Sequence, residues 1–171
     1  MLVADFQNIV TVLNEAKVRF LIVGGLAVVA HGYVRNTIDV DLVIDLVSQN
    51  NVLRALDALG RLGYKPLIPE LPGRFADPRV REEWIRDKGM VVFQMRSETR
   101  RETPIDIFVR LPFDFDAEYH SAVEYDVGSG LICRVVRCST LIDMKRQAGR
   151  AKDLADIESL EHVNRLRSND G

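Results

Sequence analysis

The sequence predicts an α/β (α+β) fold: a mixed β-sheet covered by helices, with a C-terminal helical addition. Three observations predict it. Apolar runs of strand length alternate with helical periodicity through the first sixty residues. A cluster of strand-like runs then occupies the stretch from about residue 90 to 137. After Ser139 the pattern is helical to about Asn164. Strands mixed with helices and followed by a strand cluster favour a sheet with helices packed on it. At 171 residues the chain reads as one domain, 1–171, with a core of about 1–137 and a helical region of about 139–165.

The elements follow in order. Phe6, Ile9, Val10 and Leu13 recur at helical spacing, so a helix is expected over about 3–16. A short strand at about 19–23 leads into Gly24-Gly25, and the apolar Leu26–His31 segment ends at Gly32 as a buried helix with a glycine stop. A second strand covers about 38–44. Asn50 or Asn51 is placed to cap a helix whose buried stripe is Val52, Leu53, Leu56 and Leu59, closed by Gly60 and Gly63. Pro66, Pro69, Pro72 and Gly73 make the 66–75 stretch an irregular excursion. Asp77-Pro78 reads as an N-cap with proline at the first helical position, opening a helix to Asp87. Strands are expected at Met90–Met95 and Ile105–Val109, and again at about 123–127 and 131–137 around Gly128-Ser-Gly130. Ser139 is placed to cap the closing helical region, which bends near Gly149, and residues 168–171 read as frayed.

Composition excludes several classes. The net charge of −2 offers no global attraction to nucleic acid or an anionic membrane. No apolar stretch approaches the roughly 20 residues that span a bilayer. The N-terminal segment, with Asp5 and Glu15, does not read as a signal peptide. Cys133 and Cys138 have neither metal-type spacing nor the number for a disulfide framework, so reduced, partly buried thiols in a cytoplasmic protein are expected.

Chemistry concentrates in Gly24-Gly25 and in the run Ile38-Asp-Val-Asp-Leu-Val-Ile44. Side chains alternate along a strand, so Asp39 and Asp41 project to one face, away from Ile38, Val40, Leu42 and Ile44. Two hard oxygen ligands on one face suit Mg2+, and Mn2+ fits the same ligands. A glycine turn before a helix suits phosphate. The pair points to nucleoside triphosphate chemistry. Asp106, alone among apolar neighbours in Pro104-Ile-Asp-Ile-Phe-Val109, is the third carboxylate, costly to bury without a metal or a cation beside it. The plainer reading of the acidic pair is a solvent-facing strand, and of the glycines a tight turn; the spacing and Asp106 together favour a metal site.

Gly24-Gly25, Arg35 and Thr37 in the spacer, Asp39-Val-Asp41 and the later strand carboxylate resemble the DNA polymerase β-like nucleotidyltransferase superfamily. The tail Lys145-Arg-Gln-Ala-Gly-Arg150-Ala-Lys152-Asp153-Leu-Ala-Asp156 resembles its AbiEii-type branch, and about 66–103 matches neither. The resemblance implies an enzyme that moves a nucleoside monophosphate from an NTP to a hydroxyl on RNA, protein or a small molecule. Asp39 and Asp41 would bind the metal, and Asp106 would complete the cage or activate the acceptor. Gly24 and Gly25 would offer backbone N–H groups to the triphosphate, and Arg35 or Lys145 would neutralise the leaving group. The superfamily often has Gly-Ser at this turn; Gly25 removes that hydroxyl, leaving the turn to backbone groups alone. The AbiEii-type resemblance also implies a toxin or antitoxin partner, and its alternative is a non-catalytic nucleotide-binding or partner-binding member of such a pair.

The remaining polar residues have plainer readings. Thr37 either bonds a carboxylate or simply suits a strand. On a continuous helix Lys145, Lys152 and Asp156 share one stripe, where Asp153 and Asp156 would make structural ion pairs. His31, His120 and His162 lack ligand spacing and read as structural. Trp84 reads as the anchor of a mixed-charge surface helix. Arg96, Arg100 and Arg101 read as an exposed basic patch near a hairpin tip, a candidate acceptor surface.

Overall fold

The computed structural model describes residues 1–169. Its centre is a mixed seven-stranded sheet in the order β3-β4-β5-β2-β1-β7-β6. The strands are β1 (Phe20–Ile22), β2 (Val40–Ile44), β3 (Tyr64–Pro66), β4 (Val92–Ser97), β5 (Ile105–Phe108), β6 (Val123–Asp126) and β7 (Ile132–Val135). β2 runs parallel to β5, and β1 parallel to β7; the other neighbours are antiparallel. The helices are α1 (Val3–Glu15), α2 (Gly24–Ala30), α3 (Gln49–Arg61), α4 (Pro78–Lys88), α5 (Phe115–Ser121), α6 (Cys138–Ala148) and α7 (Ala151–Asn169). A 3-10 turn spans Pro72–Ala76.

Sequence logic accounts for most of these elements. Phe6, Ile9, Val10 and Leu13 of α1 are all buried, as their spacing requires. Asp77 caps α4, accepting from the Arg79 amide at 2.8 Å, with Pro78 at the first helical position and left-handed Gly89 at the end. Six details differ from expectation. Ser48, not Asn50 or Asn51, caps α3, because Asn51 is buried and bonds the Arg19 amide and the Asp45 carbonyl instead. Leu53 is exposed, and Ala55 takes its place on the buried stripe. β3 ends at Pro66, where the proline-rich excursion begins, the 3-10 turn closes that excursion, and α5 stands where no helix was expected. Ser139 caps nothing: α6 starts from Arg137 with no side-chain cap. α7 continues to Asn169, while 170–171, part of the end expected to fray, lie outside the described residues.

One face of the sheet is sealed and the other carries the acids. Val40, Leu42 and Ile44 of β2 and Ile105 and Ile107 of β5 are fully buried. Phe93 shares that face and stacks on Phe75 at 4.5 Å and on Trp84 at 5.7 Å, so the excursion and α4 close it. The alternate residues Asp41 and Asp106 point to the opposite face, where α6 and α7 pack together. His31 lies in the core as expected, its Nε2 donating to the Val136 carbonyl at 2.8 Å. Cys133 is buried, which pushes its thiol up to about 12, and Cys138 is half-buried at the start of α6. Among the described residues no helix is long and apolar enough to cross a membrane.

Candidate active site

The glycine turn is built against the acid that follows it. The Val23 amide donates to the Asp41 carbonyl at 3.1 Å, holding the end of β1 against β2. Gly24 then adopts φ +65°, and a Cβ there would stand 1.9 Å from Asp41 Oδ2. Only glycine fits that close approach. The Gly25 amide donates to the Asp41 carboxylate. A Cβ on Gly25 would stand 2.4 Å from Thr37 Oγ1. Thr37 thus brings a hydroxyl to the place a side chain at 25 would fill.

Asp41 and Asp106 lie opposite one another in the β2–β5 pairing. Burial pushes the Asp41 carboxyl up to about 6, and the neighbouring Asp106 and Asp39 push it the same way. The Gly25 amide and the Lys145 ammonium oppose that rise without cancelling it. Asp39 sits just before β2, which begins at Val40 rather than at 38. Among the described residues no three His, Cys, Asp or Glu side chains converge as a ready-made metal cage. The acid trio expected to form one is gathered around one cavity but does not close on a common point.

Asp106 has the cation its strand position called for. Arg96 Nη1 donates to it at 3.3 Å and Gln94 Nε2 at 3.4 Å, both from β4. This overturns the basic patch expected near the hairpin tip. Arg96 is turned to the sheet face, Arg100 pairs with Asp5 at 3.2 Å, and Arg101 pairs with Glu98 at 2.7 Å. The expected strand ends at Met95, which leaves Arg96 at the hairpin tip; β4 runs on to Ser97, and its register with β5 sets Gln94 opposite Asp106.

Lys145 and Arg35 are held from beneath by α7. Left-handed Gly149 breaks the helix, and α7 packs on α6. Lys145 Nζ donates to Asp156 at 2.7 Å and lies 3.7 Å from Asp153; Arg35 also pairs with Asp156. Arg150 Nε donates to Asp153 at 2.6 Å. The stripe expected on one continuous helix is thus made across two, and Lys152 stays exposed.

Two connected chambers result. A polar one of about 260 Å³ is lined by all eight expected residues: Gly24, Gly25, Arg35, Thr37, Asp39, Asp41, Asp106 and Lys145. Asn36, Arg150 and Lys152 join them. A larger one of about 550 Å³ shares Gly24, Asp41, Asp106, Lys145, Arg150 and Asp153, and its remaining wall is mainly apolar. A glycine turn with cations on one side of clustered carboxylates can hold a polyphosphate, and the carboxylates can hold a divalent ion.

No family model and no curated protein matches the chain. Among solved structures it is similar to the solution structure of the antibiotic-resistance factor ANT(2'')-Ia, at 18% identity over 98% of this chain and 89% of that one, with a TM-score of 0.56. It is also similar to the crystal structure of ANT(2'')-Ia in complex with adenylyl-2''-tobramycin, at 16% identity over 98% and 95%, with a TM-score of 0.58. At such identities the likeness establishes the fold, a mixed α/β nucleotidyltransferase fold.

Proposed function

We propose that the protein is a metal-dependent nucleotidyltransferase that moves a nucleoside monophosphate from an NTP to a hydroxyl acceptor. The observation that carries this reading is Asp41: a buried carboxylate crowded by Asp106 and Asp39, seated on a glycine turn whose amide it accepts. Crowded acids repel one another, and a divalent cation arriving with the triphosphate would balance their charge. The likeness to a structure holding an adenylylated aminoglycoside supports the same chemistry.

The donor set fits Mg2+ or Mn2+, with Asp39, Asp41 and Asp106 as the protein's oxygen ligands. Mg2+ ordinarily takes one or two carboxylates and completes its shell with water and substrate phosphates, so a cage left open by the protein suits it. Bound there, the ion would neutralise the triphosphate and polarise the phosphoryl oxygens.

The chain's own residues supply the rest. Gly24 and Gly25 allow the backbone to approach the β- and γ-phosphates, with the Thr37 hydroxyl beside them. Arg35, fixed by Asp156, and Lys145 face the charge that develops on the leaving pyrophosphate. Asp106 orients the acceptor hydroxyl and takes its proton. The acceptor oxygen bonds the α-phosphorus as the bond to the bridging oxygen breaks, and pyrophosphate leaves.

The finer AbiEii-type reading, with a toxin or antitoxin partner and RNA or protein as acceptor, rests on the tail pattern alone. Lys145, Arg150, Asp153 and Asp156 have a structural account in the α6–α7 ion pairs. Magnesium-dependent pyrophosphate release with each NTP, with total RNA, cell lysate and tobramycin as acceptor sources, tests the proposed transfer. Transfer lost in Asp41→Asn is the expected result; turnover retained in that variant overturns it.

A further inference from the structure

The two chambers differ in chemistry, and the reaction geometry gives each a different tenant. In-line displacement at phosphorus puts the attacking and leaving oxygens on opposite sides. The leaving pyrophosphate belongs with Gly24, Gly25, Arg35 and Lys152, all on the polar chamber. The attacking hydroxyl must then arrive from beyond Asp41 and Asp106, through the other chamber. Its remaining wall carries Val91, Val92, Phe108, Pro112, Leu141 and Met144.

Charge narrows the acceptor further. Asp41, Asp106 and Asp153 are the chamber's carboxylates. Asp153 is fully buried and bonded to Arg150, with Lys145 3.7 Å away. Asp106 is bonded to Arg96, and Asp41 to the Gly25 amide. With the divalent ion bound, Asp41 and Asp106 are committed to it and Asp153 to Arg150 and Lys145, so no carboxylate of the chamber is left for an ammonium group, and Lys145 and Arg150 face the same space. A polyamine such as tobramycin would leave its cations without partners there, which is costly. The volume is that of a small-molecule site.

We propose that the apolar chamber is the acceptor site and that its acceptor is an uncharged small-molecule alcohol with an apolar body, not a polycationic aminoglycoside. This rests on the nucleotidyltransferase reading above.

The test uses the full chain with ¹³C-methyl methionine, Mg2+ and non-hydrolysable α,β-methylene analogues of the four NTPs. 4-Phenylbutan-1-ol and tobramycin are titrated separately, and the Met144 methyl resonance, assigned by its loss in Met144→Leu, is followed. The alcohol is expected to move that resonance and to saturate at a concentration at least tenfold below tobramycin. Tobramycin saturating first, or neither probe moving Met144, overturns the proposal. So does a nucleotide analogue that itself occupies the chamber and excludes the alcohol. Calorimetry of the analogues separates the two readings: no magnesium-dependent nucleotide binding, with the alcohol still moving Met144, removes the enzyme assignment and leaves the apolar site standing.

Discussion

Asp41 on β2 and Asp106 on β5 are register partners across a parallel strand pair, so the sheet itself places two acids side by side on one face. Parallel neighbours in register keep their side chains together along the pleat. The closeness is therefore a property of the backbone, not of a flexible loop. Its cost is visible in Asp41, whose carboxyl is pushed up to about 6 by burial first and by Asp106 and Asp39 after it.

That shift sets a pH dependence for the metal-free protein. The folded state holds a proton on Asp41 that the unfolded chain releases near its ordinary value of 3.8. Stability is thus fullest below that value, falls as pH rises towards about 6, and stays lower above it. The loss is at most about 3 kcal/mol, from roughly two pH units at 1.36 kcal/mol each. Asp41→Asn should flatten this step and melt higher than the wild type at pH 8 without magnesium. Adding magnesium at pH 8 should raise the melting temperature of the wild type and not of the variant. Melting curves with and without the metal check both.

Gly24 is the position least tolerant of a side chain. Its φ of +65° disfavours any L-residue, and a Cβ would collide with Asp41 Oδ2. Gly24→Ala should cost roughly 2 kcal/mol or more through left-handed strain and the displaced acid. Turnover should fall at least about a hundredfold, as expected when a reacting group is moved by an ångström. Denaturant melts and transfer assays read the two effects apart, and an unchanged variant on both counts contradicts the packing described.

What the sequence revealed and what it hid have physical reasons. The α1 stripe and the alternation around Asp39, Asp41 and Asp106 are local periodicities, so they could be read directly. β3 could not, because three residues ending in Pro66 carry no pattern and depend on pairing with Met95–Ser97. α5 escaped because it is short, and its cap, Asp114 accepting from the Ala117 amide, stands amid other acids and aromatics. Arg96 looked like a surface arginine until the register set it beside Asp106. The α6–α7 ion pairs depend on one left-handed glycine, Gly149, whose effect on chain direction no charge pattern announces.

Asp156 should matter more to stability than the lysine it holds. It is 4% exposed and serves both Lys145 and Arg35. Asp156→Ala takes away the partner of Arg35 and the nearer partner of buried Lys145, which keeps only Asp153 at 3.7 Å, at a cost of about 3–5 kcal/mol. Lys145→Met leaves Asp156 paired with Arg35 and Asp153 paired with Arg150, so about 1–2 kcal/mol is expected by the same reasoning. Urea unfolding of both variants tests the order, and equal or reversed losses would falsify the network.

Glu118, not a cap at Ser139, anchors the start of α6. Buried on α5, it accepts from the Arg137 amide at 2.7 Å, Arg137 Nη2 at 2.8 Å and Thr140 Oγ1 at 2.7 Å, tying the start of α6 to α5. Burial alone would raise its carboxyl, but these donors outweigh it and hold the group below the usual glutamate range. The sign is opposite to that of Asp41: the contribution is present above the unfolded value of 4.5 and is lost as pH falls through the lowered folded one. Glu118→Gln should therefore cost about 1.5–3 kcal/mol at pH 7, the worth of charged hydrogen bonds. The gap to the wild type should shrink as the medium is acidified below the glutamate range. Because α6 carries Lys145 and Met144 into the two chambers, the same variant should also weaken transfer. Stability measured across pH decides the matter: a gap that persists at low pH would show that Glu118 acts by packing and not by its charge.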